Sequence, residues 1–284
     1  PCVKAAQKEE SEDGTIKYLV QLPDGEKVEA VYIPMEGRKT LCVSTQAGCK
    51  MACTFCATGY QKFQRDLHAW EIVDQFLSLE FPEPVSNIVM MGMGEPFDNY
   101  DQVINALKIF QHPMGCKVGK RHITVSTVGL TPKMQAFASA NLGKLAISLH
   151  GTTEEQRREI MPINQKHSIE EIMETCRNLK FPGTNRVTFE YLLMKDFNDS
   201  NEDAHRLATL VKNIPCKINL LAYNENPFVG FKRPDEERVL EFQHILMGYD
   251  LCTTYRRSRG RDIAAACGQL RTKVKLKEPV AAAH

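Results

Sequence analysis

Apolar and polar positions follow two rhythms along the chain. Residues 16–34 hold two β-rich runs, IKYLVQL and KVEAVYIP, on either side of a Pro-Asp-Gly turn. Runs of that kind around such a turn predict a β-hairpin. From residue 40 the rhythm changes. Apolar, β-branched runs recur at 40–45, 87–93, 122–127, 144–149, 186–193, 217–221 and 252–258. Amphipathic segments lie between them, among them 67–80, 98–111, 168–180, 201–213 and 234–249. Strands separated by single helices predict βαβ crossovers and a parallel sheet. About six units are too few for an eight-fold barrel. An open partial (β/α) barrel fits better than a doubly wound sheet, although periodicity does not separate the two. The expected organisation is a mobile polar tail over 1–15, a hairpin extension over 16–39 and one domain over 40–280.

Composition narrows the class. No run of about 18 apolar residues crosses a membrane, and the polar N-terminus has no signal-peptide core. The expectation is therefore a cytoplasmic protein without a membrane contact. In a reducing compartment, ten cysteines point to metal or catalysis rather than to disulfides. The net charge of +1 is unevenly spread. Residues 256–277 carry eight Lys/Arg against one acid, a net +7, so the rest of the chain carries about −6. A basic segment of that kind is either a solvated face or the footprint of an anionic partner.

In parallel α/β folds the chemistry collects where strands end. After the first strand run come Cys49, Cys53 and Cys56, spaced C-x3-C-x2-C. Three thiolates in one loop suit an iron–sulfur cluster or zinc. Structural zinc asks for a fourth ligand, and His68 is too distant to serve. The second run ends in Gly92-Met93-Gly94-Glu95-Pro96, the third at Ser126, the fourth at Ser148-Leu149-His150, and Asn224 follows the sixth. Each is a weak signal alone, because such residues also form turns. Cys267 lies among small residues near Arg259 and Arg261, which would favour its thiolate. It also reads as a packing cysteine, and Cys42 reads as strand core.

C-x3-C-x2-C on the first βα loop, with Phe55 before the last cysteine, resembles the radical S-adenosylmethionine (SAM) enzymes. Taken with MGMGEP, ISLH, CKINL and ACGQL in order, the chain resembles the RlmN/Cfr family over roughly residues 16–275. The resemblance implies a partial (β/α)6 radical SAM barrel, a [4Fe-4S] cluster on Cys49, Cys53 and Cys56, and SAM held by Gly94, Glu95, Ser126, Ser148, Leu149, His150 and Asn224. It implies methylation of an adenosine in ribosomal RNA, transfer RNA or both. Pro96 is more similar to the branch that methylates C2 than to the branch that methylates C8. In this chemistry Cys267 carries the methyl group, Glu29 accepts the proton, and Cys42 releases the product through a transient disulfide. Candidate phosphate contacts are Arg65, Lys120, Arg121, Arg256, Arg257, Arg259 and Arg261. The enzyme is expected to be a monomer fed by an electron donor such as flavodoxin or ferredoxin. In the family a helical N-terminal extension precedes the hairpin; here about fifteen polar residues precede it, so the chain is expected to be either truncated or a compact variant. Methylation of C8 instead of C2, a metal-stabilised RNA-binding protein without catalysis, and a radical SAM enzyme with another substrate are the alternatives.

Overall fold

The computed structural model describes residues 3–181, 186–225 and 230–272. Cys2, the basic segment beyond residue 272 and the expected domain end at 280 lie outside the described residues. The chain opens with an antiparallel meander of β1 (Lys4–Glu10), β2 (Ile16–Gln21), β3 (Lys27–Met35) and β4 (Arg38–Cys42). The β2–β3 hairpin is the one expected. Its turn is closed by Gly25 N–H donating to Leu22 O at 3.0 Å, and Gly25 takes a φ of +92°, which glycine reaches without a Cβ penalty. The tail read as mobile differs. Residues 4–10 form an edge strand on β2, held by backbone bonds while nearly every side chain stays exposed. Without an apolar face, such a strand leaves no alternation in the sequence.

A two-strand ribbon follows, β5 (Gln46–Ala47) with β6 (Arg65–Asp66). It is followed by α1 (Ala69–Leu77), β7 (Asn87–Met90), α2 (Tyr100–Gln111), β8 (Ile123–Thr127), α3 (Thr131–Ala140), β9 (Lys144–Ser148), α4 (Glu154–Ile160) and α5 (Ile169–Asn178). The described elements end with β10 (Val187–Leu193), α6 (Asn201–Leu210), β11 (Cys216–Ala222), α7 (Glu236–Met247) and β12 (Thr253–Tyr255). The main sheet runs β1-β2-β3-β4-β7-β8-β9-β10-β11-β12 and is parallel from β4 onward. Cys42 on β4, Leu221 on β11 and Arg256 after β12 line one cavity. Strands so far apart in the sheet order meet only if the sheet curls, which is consistent with the partial barrel.

The helices bury the expected stripes. In α5, Ile169, Ile172, Met173 and Cys176 face inward at helical spacing, and Ser168 caps the first turn by accepting from Glu171 N–H at 3.1 Å. In α6, Ser200 and Asp203 form a reciprocal capping box. These caps fix where each helix leaves its strand tip, and thereby the loops of the site.

Candidate active site

The cysteine loop is shaped by close backbone packing. A Cβ at Gly48 would lie 2.5 Å from Lys62 O, so only glycine lets the loop's two ends meet there. Cys49, Cys53 and Cys56 line one cavity together with Glu95, Ser126, Ser148 and His150. Burial pushes all three thiols up, that of Cys49 to about 12. Ligation by iron therefore displaces protons from this loop. Among the described residues no three His, Cys, Asp or Glu groups converge as a single ion requires. A single zinc needs its sulfurs about 2.3 Å from one point. A cluster takes one thiolate at each of several irons. Three thiols spread around a cavity wall fit that second demand, and they leave one iron open.

Strand tips complete the cavity. Glu95 is buried, and its carboxylate accepts from Phe97 N–H at 3.0 Å and Val128 N–H at 2.9 Å. Burial raises its pKa to about 7 in spite of those bonds. Gly94 lines the cavity, but its backbone (φ +100°) closes on the chain itself: a Cβ there would lie 2.6 Å from Gln46 Cβ. Gln46 in turn accepts from Glu95 N–H at 2.9 Å. Ser126 and Ser148 bring their hydroxyls to 3.4 Å from each other. His150 accepts from Leu192 N–H at 3.1 Å through Nδ1, which leaves the ring proton on Nε2. Burial, then Arg157, lowers its pKa to about 3, so the ring is neutral, and it stands edge-on to Phe55 at 5.0 Å.

Two expected cofactor contacts sit elsewhere. Leu149 is buried outside the cavity wall, where its carbonyl accepts from Arg157 Nε at 3.2 Å. Asn224 also lines neither main cavity; its amide donates to Cys267 O at 3.2 Å and steadies that loop.

A second, open cavity of about 490 Å³, within the range of small-molecule sites, adjoins the first. Cys42, Arg256, Arg257 and Arg259 line it. Met91, Leu221 and Cys267 belong to both walls. Cys267 thus faces the cysteine-loop cavity on one side and the open cavity on the other. Its position comes from hydrogen bonds between loops. Ala57 N–H donates to Gly268 O at 2.7 Å, and the Thr58 hydroxyl donates to Leu270 O at 2.7 Å. From the other side, Glu29 accepts from Arg271 N–H at 2.7 Å, and Asp13 accepts from Gly260 N–H at 2.9 Å. Every described cysteine is a free thiol, so the expected disulfide between Cys42 and Cys267 is not formed here.

Glu29 is 5% exposed and not solvent-facing, and it lies 3.8 Å from Lys17. Burial raises its pKa to about 7. It lines neither main cavity and here anchors the loop of Cys267.

The expected phosphate contacts divide. Arg65 grips Glu71 through two bonds of 2.7 and 2.8 Å and also binds Asp24, so its donors serve the fold. Lys120 and Arg121 are exposed on the turn that enters β8 and line neither cavity. Arg256 turns inward to the thiols. Arg257 and Arg259 stand on the rim of the open cavity, paired with Glu236 and Asp13. Arg261 is exposed outside that cavity wall.

Sequence reasoning missed three contributors. Glu190 lines the cysteine-loop cavity and accepts from Asn219 Nδ2 at 2.6 Å. Arg157 is wholly buried and donates to Leu149 O, Val128 O and Asn164 Oδ1, tying the loops after β8 and β9 to the turn after α4. Gln46 holds Glu95. Only Glu190 left a signal, as a lone acid inside an apolar strand run.

The radical SAM superfamily matches residues 43–208. The dual-specificity RNA methyltransferase RlmN 2 of Myxococcus xanthus is 49% identical over 270 residues, 92% of this chain and 71% of that protein. The probable dual-specificity RNA methyltransferase RlmN of Caldanaerobacter subterraneus is 46% identical over 94% of this chain and 78% of its own length. The crystal structure of a radical SAM methyltransferase from Sphaerobacter thermophilus superposes with a TM-score of 0.91 at 40% identity, covering 95% of this chain and 81% of the other. With a cysteine loop, a glutamate strand tip and a second thiol shared between two cavities, the chain belongs to the RlmN family of the radical SAM superfamily.

Proposed function

We propose that this protein methylates C2 of an adenosine in RNA, with Cys267 as methyl carrier and Cys42 as resolving thiol. One observation carries the reading: Cys267 belongs to the walls of both cavities. A methyl carrier must meet the donor on one side and the acceptor base on the other, and Cys42 lines the acceptor side. A [4Fe-4S] cluster on Cys49, Cys53 and Cys56, together with SAM, supplies the methyl group and a hydrogen-abstracting radical when bound. Around it, Glu95 offers a buried carboxylate to an ammonium group, and Ser126 and Ser148 offer hydroxyls. Neutral His150 offers a ring donor beside Phe55.

C2 of adenine is electron-poor, so a nucleophilic attack of the ring on a methyl sulfonium fails there. A carbon first attached to Cys267 avoids that demand. Glu29 is the proposed proton acceptor. Its carboxyl exchanges a proton near neutral pH, and it touches the loop at Arg271, one residue beyond Leu270 of the cavity wall. Arg257 and Arg259 on the rim suit phosphates of ribosomal or transfer RNA, and the similarity to dual-specificity RNA methyltransferases supports RNA as the substrate. Such an enzyme works in the cytoplasm with a flavodoxin- or ferredoxin-type donor. No helix among the described residues is long and apolar enough to cross a membrane.

The test is anaerobic reconstitution, incubation with RNA, SAM and reductant, and mass spectrometry of the digested RNA. The expected product is 2-methyladenosine. The 8-methyl isomer would overturn the choice of ring carbon. Formation of deoxyadenosine without any methyladenosine would overturn RNA as the substrate. The Cys42→Ala variant is expected to leave protein covalently attached to RNA.

A further inference from the structure

Arg256 differs from the other arginines of the C-terminal loop. Its N–H donates to Leu220 O at 2.9 Å, which fixes its backbone to β11. Arg257 and Arg259 reach carboxylates; among the described residues, no carboxylate comes within 4.0 Å of the Arg256 guanidinium. Its side chain shares the open cavity wall with Cys42 and Cys267. A partly buried cation without an ion partner pays for its lost hydration unless negative charge forms beside it. The groups acting on it are Cys267 first, then Glu190 and Cys42.

We propose that Arg256 is the counter-ion of Cys42, a positioning residue that favours the resolving thiolate, rather than an RNA phosphate contact. This rests on the reading of Cys42 as the resolving thiol. Burial pushes the Cys42 thiol up to about 12, Cys267 adds to that, and Arg256 opposes both. The flanking strands offer no charge there: β3 and β7 face Cys42 with Val31 and Val89. Arg256, on the same cavity wall, is the cation that opposes the effect of burial on this thiol, with a smaller contribution from the Met91 N–H. A cation beside a thiol raises its thiolate fraction, and thiolate is the form that attacks sulfur.

In the release step, the Cys42 thiolate donates its electron pair to Cys267 Sγ. An S–S bond forms, and the bond from Cys267 Sγ to the methylene carbon on the adenine breaks. That bond's electron pair stays on the carbon, which takes one proton and becomes the methyl group. The two sulfurs are oxidised to a disulfide as the carbon is reduced, and an added dithiol returns both thiols.

The experiment measures alkylation by iodoacetamide, cysteine by cysteine, on the whole protein by mass spectrometry. Arg256→Met should slow alkylation of Cys42 by about tenfold or more at pH 8, the worth of one pKa unit. Cys116, remote from the cavity, serves as the internal control, and its rate should stay constant. Arg256→Lys should restore most of the Cys42 rate, which a purely structural role would not produce. An unchanged Cys42 rate in folded Arg256→Met overturns the proposal. So does a loss of RNA affinity without any change at the thiol. A second arm uses the reconstituted enzyme with RNA, where Arg256→Met should accumulate the same covalent adduct as Cys42→Ala. If Cys42→Ala traps an adduct and Arg256→Met does not, the counter-ion role is overturned. If neither traps one while the alkylation rates shift as expected, the methyl-transfer reading falls and the charge pairing stands.

Discussion

The two cavities that share Cys267 are built in opposite ways. The wall around the three cluster-type cysteines comes largely from strand tips, where parallel-sheet registers such as Ser126↔Ala146 set side-chain positions. The loop that carries Cys267 has no regular structure between β12 and Thr272, and it is anchored by Ala57 N–H and the Thr58 hydroxyl of the cysteine loop and by the side chains of Glu29, Asp13 and Asn224. Two of these anchors are acids, one of them with a pKa displaced by burial to about 7. The difference teaches that the geometry of the cysteine-loop cavity is part of the fold, whereas the Cys267 loop is held by polar contacts that pH and substitution can loosen. In the proposed reaction Cys267 serves donor and acceptor in turn, and the second kind of support suits that role.

The largest expected effect comes from removing a cluster ligand. Cys53→Ser should lower methylation by about a thousandfold or more, as loss of an essential group does. It should also lower the iron content after reconstitution. Proteolysis of the 256–272 loop should rise only slightly: Ala57 and Thr58, beside Cys56, tie it to the cysteine loop, but Glu29, Asp13 and Asn224 hold it independently. A loop that becomes strongly sensitive to protease in Cys53→Ser would show that the two regions are not separate.

The same contrast explains what the sequence could disclose. Strands, five helices and the cysteine loop were legible, because burial writes a period into the chain and ligands need a spacing. Helix α3 was not among the amphipathic segments; it buries Met134, Phe137 and Ala138 within a run of small residues. The strand β1 hides its regularity in backbone bonds. Arg65 and Arg256 read as surface cations because a charge has the same letter whether its partner is Glu71, a thiol or a phosphate. Glu29 could be marked only by resemblance, since its contact with Arg271 spans most of the chain.

A smaller effect should follow from titrating the anchor. The pKa of Glu29 is raised from 4.5 to about 7, chiefly by burial. A carboxyl raised on folding binds its proton more tightly in the folded state. Its contribution to stability is therefore fully present below pH 4.5, falls between pH 4.5 and 7, and is lost above that. The span amounts to at most about 3 kcal/mol. Glu29→Gln keeps an acceptor for Arg271 N–H and removes the titration. Thermal unfolding from pH 5 to 8 should show the wild type losing stability relative to Glu29→Gln. Parallel curves for the two proteins would place the carboxylate outside the pH response and weaken the picture of a charge-held loop.

The smallest effect concerns the rim. Arg257 stands on the open cavity, whereas Lys120 and Arg121 precede β8 and line neither cavity. Each phosphate contact removed should lower the slope of log affinity against log salt by about 0.7 to 0.9. Arg257→Ala should therefore bind RNA several-fold more weakly at low salt and converge with the wild type at high salt. The Lys120→Ala, Arg121→Ala double variant should follow the wild-type curve throughout. If the double variant loses affinity as Arg257→Ala does, RNA must reach beyond the open cavity, which could no longer be taken as the sole seat of binding. If Arg257→Ala alone changes nothing, its pairing with Glu236 persists in the complex and the rim charge serves the fold, as Arg65 does.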